Sequence, residues 1–178
     1  TLKWETNLQF NVGVDFAMFN KLSGTIEYFK RKSKDLLFTM PMAPSTGFGG
    51  IDRNIGDVEN YGIEFTLNYV PFSSKDFTWT IDLNGTSYEN KITKLPQDEM
   101  NSGYFKWREG ESRFNFWGIE YAGVNPENGN DQYWMVVDKE DGSTERVKTE
   151  DYNAVSSDKH KKYLGDALPK LFGGLTNT

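Results

Sequence analysis

NLQFNVGVDFAM, residues 7–18, alternates apolar residues with polar or small ones over its whole length. Successive side chains of a β-strand point to opposite faces, so the stretch predicts a strand with one apolar and one polar face. A strand of a soluble sandwich usually has about five or six residues, whereas a tilted transmembrane strand needs about 9–11. The length of the alternation therefore favours a membrane strand.

The composition of the 178 residues excludes several classes of function. The chain has 26 acidic and 20 basic residues, a net charge of -6 and no basic stripe, which argues against a nucleic-acid partner. It has no cysteine and a single histidine, so it offers no disulfide or thiol chemistry and little material for a metal site or a catalytic triad. No apolar run approaches the ~20 residues of a membrane-spanning helix. Aromatic residues at 15% and 17 glycines predict an all-β chain.

The alternation recurs along the first half of the chain. Residues 60–69 and 77–87 each place aliphatic and aromatic side chains on one face and Asn, Thr, Glu or Asp on the other. A less regular strand keeps Ile26 and Tyr28 on its apolar face and then places lysines there, which predicts a strand that leaves the apolar zone. The predicted strands are about 4–19, 25–38, 57–72 and 77–92, with the start of another at 169–178.

The connections between these strands alternate in length. Residues 20–24 and 73–76 are short turns, whereas residues 39–57 and 93–168 are long and irregular. Outer-membrane barrels have short periplasmic turns and long extracellular loops, so this asymmetry favours a barrel over a soluble meander. Many aromatic residues lie close to the two short turns, as in the aromatic girdle of a barrel, although the aromatic core of a sandwich is the alternative.

The region 93–168 carries local order but no pattern that singles out an enzyme. Residues 125–129 predict a turn between two short strands, and Asp141-Gly142 predicts a two-residue primed turn at a hairpin tip. The acidic residues of that tip do not fit the register of a calcium loop, so we predict no metal site. The basic cluster 159–162 around His160 predicts a solvated loop. No pair of carboxylates is singled out for glycoside hydrolysis, and we predict no catalytic residues and no cofactor.

Aromatic residues crowd this long region and are the weak candidates for a binding site. Aromatic rings stack on sugars and anchor protein interfaces. They also form small local cores that fold a loop, and the sequence leaves the three possibilities open. The candidates for contact with a substrate or a partner are Trp107, Trp117, Tyr133 and Trp134.

Several blocks of the sequence together resemble a known family. They are WETNLQFNVGVD from Trp4, YFKRKSKDLL from Tyr28, NIGDVENYGIEF from Asn54, WTIDLNGTSYENKI from Trp79 and GDALPKLFGG from Gly165. With their spacing, they resemble the C-terminal part of the barrel of SusC/RagA-type TonB-dependent outer-membrane transporters. The resemblance weakens at about 95–113 and 138–163.

The resemblance implies an all-β antiparallel meander that forms a segment of a 22-stranded transmembrane β-barrel with long extracellular loops. It implies import of large nutrients, glycans or peptides, across the outer membrane of a Gram-negative bacterium. The partners implied are a SusD-like surface lipoprotein and the TonB complex, which acts through an N-terminal plug. We expect the chain to be a fragment of such a protein, with the plug domain absent, and its polar strand faces to line the lumen.

Two other classes of protein are alternatives to the TonB-dependent transporter. A soluble, secreted or surface carbohydrate-binding β-sandwich would bury the apolar strand faces against a second sheet, and a passive porin would share the barrel pattern. The barrel interpretation predicts that strands one to four pair neighbour to neighbour. It also predicts that one set of side chains faces lipid: Leu8, Val12, Ile63, Leu67, Ile81 and Leu83.

Overall fold

The computed structural model describes residues 2–178, which are mostly β-strand. The strands are β1 Thr6–Met18, β2 Leu22–Pro41, β3 Gly50–Ser73, β4 Thr78–Lys94, β5 Glu99–Ser102, β6 Phe105–Arg108, β7 Asn115–Ile119, β8 Tyr121–Val124, β9 Asp131–Asp138, β10 Thr144–Thr149, β11 Lys161–Asp166 and β12 Phe172–Asn177. The only helical elements among residues 2–178 are three short 3₁₀ turns, at Pro44–Thr46, Asn153–Val155 and Asp158–His160. None of the helical segments in that range is long and apolar enough to cross a membrane.

The chain separates into two compact units. The first, which we call the sheet unit, comprises Thr1–Met100, Trp107–Arg113 and Leu168–Thr178. The second, the loop unit, comprises Asn101–Lys106 and Phe114–Ala167.

The sheet unit is built on one five-stranded antiparallel sheet of order β1-β2-β3-β4-β12. The first four strands pair with their neighbours in sequence, and β12 then pairs with β4. This arrangement confirms the predicted meander. The strands are long, with β2 and β3 reaching 20 and 24 residues, which exceeds the usual strand of a soluble domain.

The apolar face of this sheet is exposed. Leu8, Val12 and Val14 on β1 are 51%, 54% and 66% exposed, and Ile63 on β3 is 51% exposed. A sandwich would bury these side chains in a core about 10 Å thick between two sheets. The sandwich alternative is therefore wrong, and the fold is an open segment of a barrel wall.

The first short turn lies earlier in the chain than the sequence predicts. Lys21 N–H donates to the Met18 carbonyl at 3.2 Å, and β2 begins at Leu22. Phe19 and Asn20 take φ values of +57° and +54°, the positive pair that a type I′ hairpin turn requires. The predicted turn at 20–24 is wrong in its last three residues, Leu22 to Gly24, which belong to β2.

Gly24 is needed in β2 because the neighbouring atoms leave no space for a side chain. A Cβ at this position would lie 2.4 Å from the Thr66 carbonyl oxygen and 2.9 Å from the ring of Phe16. Phe16 faces Gly24 across the β1–β2 pair, so the ring packs over the bare backbone. Aromatic side chains commonly cover strand glycines in this way.

Two small sheets are built mainly from strands of the loop unit. One has the order β10-β9-β8, and the other has the order β11-β7-β6-β5, in which β5 and β6 contain residues of both units. The predicted turn after β8 is present, because Gly129 N–H donates to the Asn125 carbonyl at 2.9 Å.

The tip between β9 and β10 has a different turn from the predicted one. Gly142 N–H donates to the Lys139 carbonyl at 3.0 Å, and Lys139 N–H donates to the Ser143 carbonyl at 2.8 Å. Only Gly142 has a positive φ, +80°, whereas a primed turn centred on Asp141-Gly142 needs a positive φ at Asp141. Asp141 accepts the Ser143 N–H and O–H at 2.9 and 2.6 Å, which favours the three-residue turn.

Candidate functional site

The apolar face of the main sheet changes to polar nearer the short turns on β4 than on β1, and β2 and β3 lie between these two levels. Moving away from the short turns, the last apolar residue on β1 is Leu8. On β2 the unbroken apolar series ends at Tyr28, which pairs with Val12, four residues nearer the turn, and with Ile63 on β3. On β4 it ends at Leu83, which lies in the cross-strand row of Phe16. The border therefore runs diagonally across the sheet.

The opposite border of this face moves in the same direction. β1 ends at Met18, in the row that reaches Ile81 on β4, but the apolar residues of β4 continue to Trp79 and the segment before it adds Phe77. Strands that are tilted by about 35–45° must shift along their axes to stay at one depth in a membrane. A diagonal apolar band of this kind is what tilted transmembrane strands require.

Polar contacts lie beyond the end of the apolar series on β2 and β4. Lys30 Nζ lies 2.7 Å from Glu59 Oε1, and the Tyr61 hydroxyl donates to Glu89 Oε2 at 2.6 Å. Lys30, Tyr61 and Glu89 occupy one cross-strand row. On β2, the predicted exit from the apolar zone lies at Lys30, in this row.

The other face of the same sheet is a polar wall with cross-strand hydrogen bonds. The Thr25 hydroxyl donates to Asp15 at 2.6 Å, and the Asn68 amide donates to Asp82 at 2.6 Å. These residues border an open depression of about 520 Å³. Glu27 pairs directly with Glu64 two positions further along the same face, so this part of the wall is acidic.

Further from the short turns the polar wall carries aromatic and basic groups instead. Phe29 is 6% exposed, and its ring centroid lies 6.5 Å from that of Tyr88. The Arg31 guanidinium lies 5.3 Å from the Phe29 ring centroid. The wall therefore changes along the strands from carboxylates to a cation packed on an aromatic ring.

Trp107, in the sheet unit, is buried. It is 9% exposed, its indole N–H donates to the Arg113 carbonyl at 2.9 Å, and its ring centroid lies 5.1 Å from that of Phe38. The Arg113 guanidinium lies 5.2 Å from the indole centroid. Trp107 thus contributes to a local core at the end of the long strands.

Trp117, in the loop unit, lies under a buried cation. Lys106 Nζ is 4.3 Å from the indole centroid and 2.9 Å from Asp158 Oδ2. The Trp117 indole N–H donates to Asp158 Oδ1 at 3.2 Å. The hydrogen bond from Lys106, followed by that from Trp117, lowers the pKa of Asp158 below its ordinary value. The three residues fix the 3₁₀ turn Asp158–His160 to β6 and β7.

Trp134 lies on β9 beside a second group of charges. The Arg146 guanidinium lies 4.8 Å from its indole centroid and also pairs with Glu120. Lys162 Nζ lies 2.9 Å from the same Glu120 carboxylate. The hydrogen bond from Lys162, together with that from Arg146, lowers the pKa of Glu120.

Tyr133 is the centre of a tyrosine cluster. Its ring centroid lies 6.2 Å from that of Tyr121 and 5.4 Å from that of Tyr152, both in edge-to-face geometry. The two outer rings are 52% and 56% exposed, whereas Tyr133 is half-buried. This cluster is an aromatic surface of the loop unit that is open to another molecule.

The structure thus places the four candidate aromatics in separate clusters. Trp117, Tyr133 and Trp134 belong to the loop unit, and Trp107 belongs to the sheet unit. Each ring has a cation or another ring against it. Nothing in the local sequence indicates the partners Lys106 and Asp158, because they lie 52 positions apart.

The expected solvated loop around His160 is wrong in one respect. His160 is half-buried, and its Nδ1 accepts the N–H of Val136 at 3.1 Å. Lys159 pairs with Asp138 at 2.5 Å, and Lys161 lies 3.5 Å from Asp158. Ion pairs with Asp138 and Asp158 therefore hold two lysines of the basic cluster in place, and the Val136 N–H holds His160.

Comparison with known proteins assigns the chain to a family. A family model described as "TonB dependent receptor-like, beta-barrel" matches residues 1–161. The chain belongs to this family. The TonB-dependent receptor SusC of Bacteroides thetaiotaomicron is 34% identical over 187 residues, which are 96% of this chain and 18% of SusC. A TonB-dependent receptor of Formosa agariphila is 34% identical over 190 residues, which are 99% of this chain and 19% of that receptor.

A solved structure agrees with the sequence relatives. The RagAB peptide importer in its closed-closed state matches with a TM-score of 0.81 and 26% identity, over 99% of this chain and 20% of that chain. The chain is therefore of the SusC/RagA type, as its sequence resemblance implies. It spans about a fifth of the length of the relatives that it matches.

Proposed function

We propose that the chain forms part of the barrel wall of an energy-coupled importer in the outer membrane of a Gram-negative bacterium. The importer takes up large nutrients, either glycans or peptides. It works with a SusD-like surface lipoprotein and receives energy from the TonB complex through a plug domain. The two-faced sheet, with an exposed diagonal apolar band on one side and a polar wall on the other, is the observation that carries this proposal.

The apolar band supports a position in lipid. Its side chains are exposed over a height that needs strands of ten or more residues, and aromatic residues border it at the short turns. Phe19, Phe72 and Phe77 are 87%, 51% and 58% exposed there. Aromatic side chains at this level suit the interface between hydrocarbon and water.

The polar wall supports a water-filled or plugged lumen. Backbone groups of the strands are paired across the sheet, and side chains such as Asp15, Thr25 and Asp82 remain available to water or to a plug. A passive porin would need the same wall. Family membership favours the TonB-coupled importer over the porin.

The loop unit supplies the aromatic side chains that we propose as contacts with the lipoprotein or the nutrient. Tyr133 is the strongest of the four candidates, since it anchors two rings that are more than half exposed. Trp117 and Trp134 are half-buried, each with a cation near its ring. Trp107 is buried and offers the least.

The substrate class is tested by uptake into cells that express the whole receptor with its neighbouring lipoprotein. SusC is a TonB-dependent receptor and RagAB is a peptide importer, so labelled oligosaccharides and labelled peptides are both supplied. We expect uptake of one class that stops when either the receptor or TonB is deleted. Uptake that continues without TonB would show a passive channel and contradict the proposal.

The aromatic contacts are tested in the same assay with single substitutions. Tyr133→Ala and Tyr152→Ala are each expected to raise the concentration needed for half-maximal uptake or to weaken co-purification of the lipoprotein. Phe48→Ala is the matched control, since this ring is 72% exposed but lies in the β2–β3 connection of the sheet unit. Equal effects of the tyrosine and phenylalanine substitutions would contradict the assignment.

A further inference from the structure

The hydrogen bond between Val136 and His160 depends on the charge state of the imidazole. Val136 N–H donates to His160 Nδ1 at 3.1 Å, which requires a lone pair on that nitrogen. A protonated imidazole carries hydrogen on both nitrogens and accepts nothing. His160 can therefore make this bond only in its neutral form.

The bond completes a strand edge that β8 leaves open. Trp134 N–H donates to the Glu120 carbonyl at 3.0 Å, and the N–H of Val136 points to the same side of β9, two residues further on. The register of β8 with β9 runs from Asp131 to Tyr133 and does not reach Val136. His160, at the end of the 3₁₀ turn Asp158–His160, takes the place of the missing strand partner.

We propose that His160 is a pH-sensitive latch that fastens the Asp158–His160 turn to β9 when neutral and releases it when protonated. Protonation adds a hydrogen to the nitrogen that accepts this bond, so acidification is the signal that the latch reads. Protonation removes the acceptor at Nδ1 and places an N–H donor there, opposite the Val136 N–H. This latch concerns the loop unit and does not depend on the proposed import.

The charges around the turn strengthen the effect of protonation. Lys159, Lys161 and Lys162 flank the histidine, and Arg146 is the β10 residue that faces Val136. The acidic groups of the packed elements are already paired with these cations: Asp138 with Lys159, Asp158 with Lys106 and Lys161, Glu120 with Arg146 and Lys162, and Glu145 with Lys139. An additional positive charge on His160 therefore meets a region where the carboxylates have cationic partners.

The ion pairs of Asp158 and Glu120 do not themselves respond to the same acidification. Their hydrogen bonds lower the pKa of Asp158 and of Glu120 below the ordinary carboxyl range. Both carboxylates consequently stay ionised at about pH 5.5. A structural change between about pH 8 and pH 5.5 in this part of the loop unit points to the histidine.

The test is hydrogen–deuterium exchange of the whole receptor in detergent at about pH 8 and about pH 5.5, corrected for the intrinsic effect of pH on exchange. The peptide that contains Val136 is followed in wild type, His160→Leu and His160→Asn. Leucine removes the acceptor, whereas the Asn Oδ1 offers an acceptor near the position of Nδ1 that does not titrate. We expect the wild type to lose about tenfold in protection at the lower pH, the size of one lost hydrogen bond.

The variants decide whether His160 is the cause. We expect His160→Leu to show the low protection at both pH values and His160→Asn to stay protected at both. If asparagine does not restore protection, the comparison of wild type with His160→Leu still decides whether His160 causes the pH dependence. A wild type that is equally protected at the two pH values, or a His160→Leu variant with the same pH dependence as wild type, would overturn the latch.

Discussion

In the sheet unit, Phe10 and Val14 are 58% and 66% exposed, whereas in the loop unit Trp117 and Trp134 are half-buried beside cations. The sheet unit holds its side chains outward on a continuous backbone ladder. The loop unit instead joins short strands through ion pairs, cation–aromatic contacts and side-chain hydrogen bonds. Apolar and aromatic side chains therefore serve different purposes in the two units.

The difference teaches where order comes from in each unit. Long paired strands satisfy their own backbone groups, so the solvent on each face can be lipid or water without loss of the fold. Strands of four to eight residues cannot hold a loop alone, and the loop unit depends on particular side chains. The effect of a substitution on stability should consequently depend on the face of the strand in the sheet unit. In the loop unit it should depend on the particular contact that is lost.

The largest effect is expected from a charge placed on the apolar band. Val12→Arg should destabilise the whole receptor in lipid by about 2–4 kcal/mol, because a cation on the lipid face of a barrel must be desolvated. Asn11→Arg, one residue away on the polar wall, should change stability by less than about 1 kcal/mol. The measurement is the folded, heat-modifiable fraction of the receptor in vesicles across a urea series. Equal costs for the two substitutions would refute the assignment of faces.

A side chain added at Gly24 should have the next largest effect. Gly24→Ala brings a Cβ to 2.4 Å from the Thr66 carbonyl oxygen, which forces β2 and β3 apart at a cost of about 1–3 kcal/mol. Gly174→Ala is the matched control, since the nearest atom to its Cβ is an Asn84 side-chain nitrogen at 3.4 Å. Thermal unfolding of both variants should separate them, and an unchanged Gly24→Ala variant would count against the close approach.

The loop unit should respond to the loss of its buried cation without a response from the main sheet. Lys106→Met leaves the Asp158 carboxylate without its nearest partner and should destabilise the loop unit locally by about 1–3 kcal/mol. Lys139→Met removes an exposed pair with Glu145 and should cost about 0–1 kcal/mol. Hydrogen exchange resolved by peptide gives both values. A loss of protection throughout β1–β4 would contradict independence of the two units.

The turn at the tip of β9 and β10 should show a smaller effect. Gly142 has a φ of +80°, so Gly142→Ala should cost about 1 kcal/mol, confined to the hairpin. Gly49→Ala, at a position with no atom within 4 Å of the new Cβ, is the control. Limited proteolysis at the hairpin tip is the readout, and equal cleavage of the two variants would contradict the turn assignment.

The smallest effect is the acid response of the Lys106–Asp158 pair. Because the fold lowers the pKa of Asp158, its stabilising contribution is present above the ordinary Asp pKa of ~3.9 and is lost as the pH falls through the folded value. The carboxylate is half exposed, so solvent screening keeps the effect small. Exchange of the loop unit should rise below about pH 4 in wild type and depend less on pH in Lys106→Met. An identical acid response in both would exclude the pair as its source.

Much of the sheet unit could be predicted from the sequence because its period is that of the strand itself. Leu8 to Met18 alternate without interruption, and the structure confirms the meander. The first turn lies earlier than the sequence predicts because Leu22 to Gly24 pair with β1, and Gly24 serves close packing against Phe16. The diagonal border of the band depends on register between strands, which no single stretch contains.

The contacts of the loop unit could not be predicted in the same way. Lys106 meets Asp158 and Val136 meets His160 across 52 and 24 positions, and no period links them. The sequence indicates aromatic residues that pack or bind, but the division between buried Trp107 and the open cluster of Tyr133 follows from tertiary contacts. Composition alone cannot separate these two outcomes.

The most direct test of the barrel-wall account is a nitroxide scan of residues 7–18 in the whole receptor, reconstituted in lipid bilayers. These 178 residues contain no cysteine, so each introduced cysteine labels one known position in this segment. We expect oxygen accessibility to peak at the even positions, from Leu8 to Met18, and accessibility to a water-soluble nickel reagent to peak at the odd ones. Accessibility that does not alternate, or even positions shielded from oxygen, would show that this face does not meet lipid and would contradict the account.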